Sequence, residues 1–240
     1  MKYIISDIHG CFDEYKMLLE ELALTQKDEV FILGDSTDRG KEPIKVLKDI
    51  MNRSNFTYIL GNHDVMMLEC LSFLTKEITE ESIKALEKNE RLHMAFGDWM
   101  NNGGEITLQK FLELERFEQE DILSFLKESM AYETIEYNNK LYILVHSGLG
   151  NFSPEKELDE YSIEDFIFER TDYKRNYFNS DRIFLVTGHT PVQTFREDKL
   201  PIVYTENNHI AVDCGCVFGG RLAAYCIETG ESTYVNYLKS

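Results

Sequence analysis

Short apolar runs alternate with helical repeats over the first third of the chain, and this alternation constrains the fold more than any other feature. The apolar runs cover residues 3–5, 30–33 and 58–60. Between them apolar residues recur at helical spacing, and Pro43 stands where a helix can begin, because a first helical position needs no amide proton. Since parallel strands are joined by crossover helices, the pattern predicts parallel strands and an α/β fold.

The middle of the chain is predicted to be helical. Residues 75–130 carry apolar side chains at helical spacing, with glutamates on the opposite face. We expect this segment to form a helical insertion or cap within a single domain that spans residues 1–240.

Strands return after the middle segment. A tight turn at Asn138-Asn139 predicts a hairpin between strands 131–137 and 140–145, and Ser162 stands where a short helix can begin. Further strands are predicted at residues 183–186, 202–204, 210–212, 222–227 and 233–237. We therefore expect an α/β (α+β) domain with either one mixed sheet or two facing sheets.

Charge and composition exclude several classes of function. The chain has 43 acidic and 25 basic residues and a net charge of −18, which argues against a nucleic acid partner, because phosphate-backbone binding depends on Lys and Arg. No apolar run reaches the roughly 20 residues of a membrane helix, so no membrane partner is expected. The apolar N-terminus is too short for a signal peptide, and five cysteines cannot all pair. These features predict a cytoplasmic protein with reduced thiols.

Polar groups that can bind metal ions follow five of the predicted strands. Four of the six histidines stand there, whereas His93 and His209 do not. One such Asp is typically a turn former and one such His is typically held by the backbone, but five strand ends with the same chemistry indicate a shared site, because ligand sites collect at carboxyl ends of strands. The segments are Ser6-Asp7-Ile8-His9-Gly10, Gly34-Asp35-Ser36-Thr37-Asp38-Arg39-Gly40, Gly61-Asn62-His63-Asp64, His146-Ser147-Gly148 and Gly188-His189-Thr190-Pro191.

The types of donor narrow the choice of metal. Carboxylates, imidazoles and an amide oxygen, without thiolates, fit Mn, Fe or Zn better than Mg or Cu. Among these three metals, Mn is the first expectation. The candidate donors are too many for one ion. They therefore predict two divalent ions about 3.5–4 Å apart, bridged by a carboxylate and able to neutralise phosphate oxygens.

These motifs resemble those of the calcineurin-like metallophosphoesterases. Asp38-Arg39-Gly40 is similar to the phosphoprotein phosphatase branch, which includes bacterial serine/threonine phosphatases and symmetrical diadenosine tetraphosphatases. Residues 99–104 and 215–222 also resemble bacterial members, so the resemblance covers nearly the whole chain. It implies a metallophosphoesterase-type sandwich of two mixed β-sheets flanked by helices, with a helical insertion.

The resemblance also implies a role for each matching residue. His63, paired with Asp38, would protonate the leaving oxygen, since a carboxylate orients an imidazole and stabilises its charged form. Arg39 would clamp the substrate phosphate beside Asn62. Arg170 is either a second clamp or a partner in a surface salt bridge. The implied metal ligands are Asp7 and His9 for the first ion, Asp35 for both ions, and Asn62, His146 and His189 for the second ion.

The resulting hypothesis is a dinuclear phosphohydrolase in which a metal-bridging hydroxide attacks phosphorus directly. The first expectation for its substrate is a phosphorylated protein carrying phosphoserine, phosphothreonine or phosphotyrosine. The alternative is a small phosphoester or nucleotide such as diadenosine tetraphosphate. A non-catalytic, metal-stabilised scaffold is a third hypothesis, which the intact set of ligands and the intact His63–Asp38 pair disfavour.

Overall fold

Two mixed β-sheets form the centre of the protein. The computed structural model describes residues 1–74 and 89–239. The described strands are β1 (Lys2–Ile5), β2 (Glu29–Leu33), β3 (Phe56–Ile59), β4 (Tyr132–Tyr137), β5 (Lys140–Val145), β6 (Ile183–Thr187), β7 (His209–Ala211), β8 (Arg221–Cys226) and β9 (Ser232–Asn236). The described helices are α1 (Phe12–Leu22), α2 (Pro43–Met51), α3 (Asn62–Leu74), α4 (Glu90–Asn101), α5 (Glu105–Leu112), α6 (Arg116–Glu128) and α7 (Ile163–Ile167).

The strand order confirms the prediction of mixed sheets. The first sheet runs β3-β2-β1-β8-β9, and the second runs β4-β5-β6-β7. Strands β1, β2 and β3 are parallel, while β8 and β9 join antiparallel to them. In the second sheet, β5, β6 and β7 are parallel, and β4 pairs antiparallel with β5. The first sheet therefore combines strands from the two ends of the chain.

Alternating side chains of each strand reach two different hydrophobic clusters. In β1, Ile5 packs toward the helices with Leu18 and Leu47, whereas Ile4 packs between the sheets with Leu144 and Val186. A third cluster covers the outer face of the second sheet, where Phe166 and Ile167 of α7 pack on β5 and β6. This period of two is what a strand buried on both faces requires. The two sheets are therefore packed face to face and covered by helices.

Local sequence signals explain several element boundaries. Pro43 begins α2, and Ser162 caps α7 through the backbone N–H of Asp165. Asn138 and Asn139 both adopt positive φ, at 49° and 59°, in the two-residue hairpin turn between β4 and β5. Asparagine tolerates this conformation better than most residues, so the turn sets the hairpin register.

The structure corrects the prediction of a strand at residues 202–204. Only Tyr204 pairs there, through two 3.0 Å backbone hydrogen bonds with Ala211 at the edge of β7. Pro201 precedes the segment and has no amide proton to extend the ladder, so the pairing stops at a single bridge.

The predicted helical segment at 75–130 is helical where the structure describes it. Helices α4, α5 and α6 fill most of residues 90–128, with breaks near Gly103-Gly104 and residues 113–115. Residues 75–88 of that prediction lie outside the described residues. Within the described ranges, no helix combines the length and apolar character needed to cross a membrane.

Candidate metal centre

The carboxyl ends of five strands bring the predicted site residues together. Asp7 and His9 follow β1, Asp35 follows β2, and Asn62 with His63 begins α3 directly after β3. His146 follows β5, and His189 follows β6 from the second sheet. Six of these seven side chains are buried, and that of His189 is partly exposed. His93 is exposed on α4, and His209 is buried on β7, so neither extends this cluster.

The backbone at this site adopts an unusual conformation. Among the described non-glycine residues, six predicted site residues have positive φ, with values between 45° and 67°. Such residues cost about 1–3 kcal/mol each and persist only where the surrounding structure holds them, often at functional sites. The six residues are Asp7, His9, Asp35, Asp38, Arg39 and His189.

Glycines let the loops approach one another closely. A Cβ on Gly61 would lie 2.1 Å from Oδ1 of Asp35, and a Cβ on Gly188 would lie 2.3 Å from Oδ2 of Asp7. Both distances are shorter than atoms can approach without a shift. The two carboxylates therefore reach their positions only because these neighbours have no side chain.

Three donor atoms meet at one end of the cluster. Oδ1 of Asn62 lies 3.0 Å from Nε2 of His146 and 2.9 Å from Nδ1 of His189, and the two imidazole nitrogens are 3.2 Å apart. Nδ1 of His146 donates to the Leu33 carbonyl at 2.6 Å, so Nε2 points into the cluster and offers a lone pair whenever it carries no proton. The amide oxygen has no proton either. Convergent lone pairs of this kind suit a cation, so the donor set fits the second predicted ion.

Asp35 lies close to ligands predicted for both ions. Its Oδ2 is 3.3 Å from Nε2 of His146 and 3.7 Å from Nε2 of His9, whose ring lies 3.9 Å from Oδ1 of Asp7. Nδ1 of His9 donates to the Thr37 carbonyl at 2.7 Å, which leaves Nε2 as an acceptor. The same carboxylate oxygen thus faces both halves of the donor set, as a bridging ligand must.

Burial and the charges of neighbouring groups shift the pKa values of these residues, and the two effects often oppose each other. Burial raises the pKa of Asp7 to about 6. Burial also opposes ionisation of Asp35, but the imidazole of His146 outweighs it and holds the pKa of Asp35 well below its usual value. Burial alone would lower the pKa of His146, yet Asp35 raises it to about 10. The buried carboxylates therefore need neighbouring positive charge, which metal ions supply.

His63 and Asp38 form a buried pair beside the donor set. Nδ1 of His63 lies 2.6 Å from Oδ2 of Asp38. Nε1 of Trp99 donates to the same oxygen at 2.9 Å, and Oγ1 of Thr107 donates to Oδ1 at 2.6 Å. The sequence pattern did not indicate a positioning role for Trp99 or Thr107; the only signal was that Trp99 lies in a segment resembling bacterial relatives.

Asp64 also positions parts of the site, although its place in the sequence did not indicate this role. Its Oδ2 accepts the backbone N–H of Asp35 at 3.0 Å and that of Gly61 at 2.9 Å, and the Tyr58 hydroxyl donates to the carboxylate at 2.9 Å. The Asp64 side chain therefore joins the loop after β2 to the start of α3. An acidic residue is common in the first turn of a helix, so the position of Asp64 in the sequence did not predict a role in the site.

Two arginines face the cleft above the donor set. Nη1 of Arg39 donates to Nε2 of His9 at 2.5 Å, and Nη2 donates to Nε2 of His63 at 2.7 Å. Arg170 is exposed and lines the same cleft of about 570 Å³. Within the described ranges Arg170 forms no ion pair, so the salt-bridge alternative has no partner there.

Comparison with known proteins assigns a family to this site. The family model for calcineurin-like phosphoesterases matches residues 3–220 of the chain. The chain belongs to this family. Its members are phosphoesterases, so the protein is a hydrolase of phosphoric esters, and the family's dinuclear metal chemistry agrees with the clustered His and Asp donors.

Two kinds of bacterial protein are similar in sequence to this chain. The asymmetrical bis(5'-nucleosyl)-tetraphosphatase PrpE of Bacillus subtilis is 26% identical over 97% of this chain and 93% of its own length. The symmetrical bis(5'-nucleosyl)-tetraphosphatase of Glaesserella parasuis is 33% identical, but over only 42% of this chain and 37% of its own length.

Solved structures confirm the fold of the family. A crystal structure described as a diadenosine tetraphosphatase has a TM-score of 0.62 at 19% identity, covering 100% of this chain and 94% of that one. The cold-active protein-tyrosine phosphatase of a Shewanella species has a TM-score of 0.54 at 16% identity, covering 99% and 80%. At these identities the likeness establishes the sandwich of two mixed sheets flanked by helices.

Proposed function

We propose that the protein hydrolyses phosphate esters or anhydrides at a pair of divalent ions, with Mn as the preferred metal. The observation that carries this proposal is the position of Asp35, whose Oδ2 lies 3.7 Å from Nε2 of His9 and 3.3 Å from Nε2 of His146. Two ions bound there would activate water and neutralise the charge on the substrate phosphate. The six residues that would hold them are Asp7, His9, Asp35, Asn62, His146 and His189.

The remaining site residues would handle the proton and the phosphate. In its protonated form His63 would donate the Nε2 proton to the leaving oxygen, while Asp38 holds Nδ1 and stabilises the imidazolium. Arg39, which contacts both His9 and His63, would bind the phosphate oxygens, and Arg170 lines the same cleft. Helices α4 to α6 would shape access to the site and position Asp38.

We propose a dinucleoside tetraphosphate as the substrate. Support comes from two relatives that match more than nine tenths of this chain, from Bacillus subtilis and Oceanobacillus iheyensis, and both are named bis(5'-nucleosyl)-tetraphosphatases. This reverses the order of the two substrates expected from the sequence. Hydrolysis of phosphoproteins is the second candidate, because Asp38-Arg39-Gly40 resembles the phosphoprotein phosphatase branch.

A comparison of substrates tests this choice. Specific activity with Mn is measured on diadenosine tetraphosphate and on phosphoserine, phosphothreonine and phosphotyrosine peptides. We expect a kcat/KM at least 100-fold higher on the dinucleotide. A preference for the peptides would establish the second candidate, and inactivity on both with every divalent ion would favour the scaffold hypothesis.

A measurement of metal content tests the metal centre separately. Elemental analysis of the purified protein is expected to give two ions per chain for the wild type and fewer for Asp35→Asn. Asp28→Asn is the control, since Asp28 lies before β2 at the opposite end of that strand. Unchanged stoichiometry in Asp35→Asn would exclude Asp35 as the bridging ligand.

The state of the cysteines supports a cytoplasmic location. All five are free and buried, and none forms a disulfide. The Cys216 thiol lies close to Cys11 and Glu14. Unpaired thiols of this kind are typical of proteins in a reducing compartment.

A further inference from the structure

Two phenylalanine rings stand exposed at the walls of the cleft. Phe168 and Phe218 are 49% and 65% exposed, and both line the cleft that contains Asn62 and His63. The other described aromatic side chains with comparable exposure lie elsewhere on the surface, for example Phe117 at 64%. An exposed ring costs free energy in water, so two of them beside the proposed catalytic groups indicate a use.

The backbone holds Phe218 in this exposed position. It ends a short 3-10 turn between Gly215 and Gly219, whose φ values are 65° and 86°. These left-handed glycines close the turn through hydrogen bonds of 3.1 Å from the Phe218 N–H to Gly215 and 2.9 Å from the Gly219 N–H to Cys216. The ring is therefore presented by a defined turn.

Arg39 connects this ring to the phosphate site. The guanidinium carbon of Arg39 lies 5.2 Å from the centroid of Phe218, while its nitrogens contact His9 and His63. A group stacked on Phe218 would thus lie next to a phosphate bound by Arg39. Phe168 stands two residues before Arg170 in the sequence, and both residues line the same cleft.

We propose that Phe218 and Phe168 form a binding site for the purine base of a nucleoside polyphosphate, an inference that rests on the proposed function. An aromatic ring gives a base a flat apolar surface, and stacking of this kind changes affinity by about five- to 100-fold per base. The chain carries −18 net charge, which opposes a polyanion at long range. The base is uncharged, so its stacking on the two rings adds affinity that the negative net charge of the protein does not reduce.

The polar residues of the cleft agree with such a ligand. Glu69 and Asp98 line the cleft with the two rings, and their carboxylates can accept hydrogen bonds from the amino groups of a base. The two arginines provide the positive charge for the phosphates. A phosphorylated protein has no base to place on the rings, so the arrangement favours a nucleotide.

The test compares two triphosphate inhibitors, one with a nucleoside and one without. Ki values for ATP and for inorganic tripolyphosphate are measured against hydrolysis of p-nitrophenyl phosphate, at a fixed free Mn concentration. We expect wild type to bind ATP at least fivefold more tightly than tripolyphosphate. In Phe218→Leu the Ki of ATP should rise about tenfold while that of tripolyphosphate changes less than twofold, with a smaller rise for ATP in Phe168→Leu.

Two further variants separate stacking from a general effect on the cleft. Phe218→Trp keeps an aromatic face and should keep the Ki of ATP within twofold of wild type. ATP should quench the fluorescence of the added indole, and tripolyphosphate should not. The native Trp99 is fully buried, so it should not contribute to this change. Phe117→Leu, which removes an equally exposed ring outside the cleft, should change neither Ki.

The outcomes distinguish this inference from the proposed function. Equal Ki changes for ATP and tripolyphosphate in Phe218→Leu, or equal affinity of wild type for both, would overturn the base-binding site. Loss of ATP affinity in Phe218→Trp as large as in Phe218→Leu would do the same. None of these measurements depends on turnover of a dinucleoside tetraphosphate, so failure of that turnover would overturn the proposed substrate alone.

Discussion

Trp99 donates a 2.9 Å hydrogen bond from its indole Nε1 to Oδ2 of Asp38, the same oxygen that holds His63. Trp99 is fully buried on α4, 61 residues from Asp38 in sequence. The indole therefore fixes the carboxylate that orients the proposed general acid, and it ties α4 to the chemistry.

Trp99→Phe should weaken catalysis through His63. Loss of a hydrogen bond to a charged group costs about 1.5–3 kcal/mol, so we expect kcat to fall about tenfold or more on a substrate with a poor leaving group. An activated leaving group needs less protonation and should lose less than threefold. The measurement is kcat on both substrates for the single variants and for Trp99→Phe combined with His63→Asn. If Trp99→Phe lowers kcat by the same factor in the His63→Asn background as in the wild type, Trp99 does not act through His63.

Gly61→Ala should disrupt the metal centre. The added methyl group would lie 2.1 Å from Oδ1 of Asp35 and 2.7 Å from its backbone nitrogen, so the carboxylate has to move. We expect loss of at least one bound ion per chain and at least a 100-fold fall in kcat/KM, measured by elemental analysis and steady-state kinetics.

Gly97→Ala is the matched control for that substitution. A Cβ on Gly97, within α4, meets no atom within 4 Å among the described residues. Alanine favours a helix over glycine by about 0.5–1 kcal/mol, so urea unfolding should show a gain of that size with unchanged activity. Full metal content in Gly61→Ala would contradict the close approach inferred at Asp35.

Arg170→Gln should weaken substrate binding. The guanidinium lines the cleft with Arg39, and a second positive group there contributes to phosphate affinity. We expect KM to rise about tenfold with kcat changed less than threefold and with metal content unchanged. Arg175→Gln, which removes a guanidinium stacked 4.8 Å from Tyr177 outside the cleft, should leave KM at the wild-type value. An unchanged KM in Arg170→Gln would show that Arg170 does not contribute to substrate binding.

His209 should make stability depend on pH. Burial lowers its pKa to about 3, whereas an exposed histidine titrates near 6.5. Below pH 6.5 the unfolded chain therefore binds a proton that the folded chain does not, and the free energy of unfolding falls as the pH drops toward 3. Between pH 7 and pH 5 this loss is about 2 kcal/mol, and it should be absent from His209→Gln in urea titrations at both pH values. Equal losses in the two proteins would show that His209 is not the responsible group.

The sequence was sufficient to predict the strands and helices of the first third because each carries its own period of apolar residues. The strand-end pattern also predicted which side chains converge, since parallel strands end at one edge. Pairing between β1 and β8 joins residues more than 200 positions apart, and no local pattern specifies it. Trp99 and Thr107 were missed for the same reason: each acts on Asp38 through a contact made only by the tertiary fold. The roles of the proposed ligands stay predictions until they are measured.

The proposed donors span the chain from Asp7 to His189, and they come from strands of both sheets. During synthesis, the last donor, His189, is added 182 residues after the first donor, Asp7. A ribosome-bound fragment that ends earlier cannot complete the proposed set, so we expect the nascent enzyme to stay inert until both sheets have assembled. Once bound, the ions would act as a cross-link between the sheets, and chelation should therefore lower the thermal unfolding temperature of the whole domain.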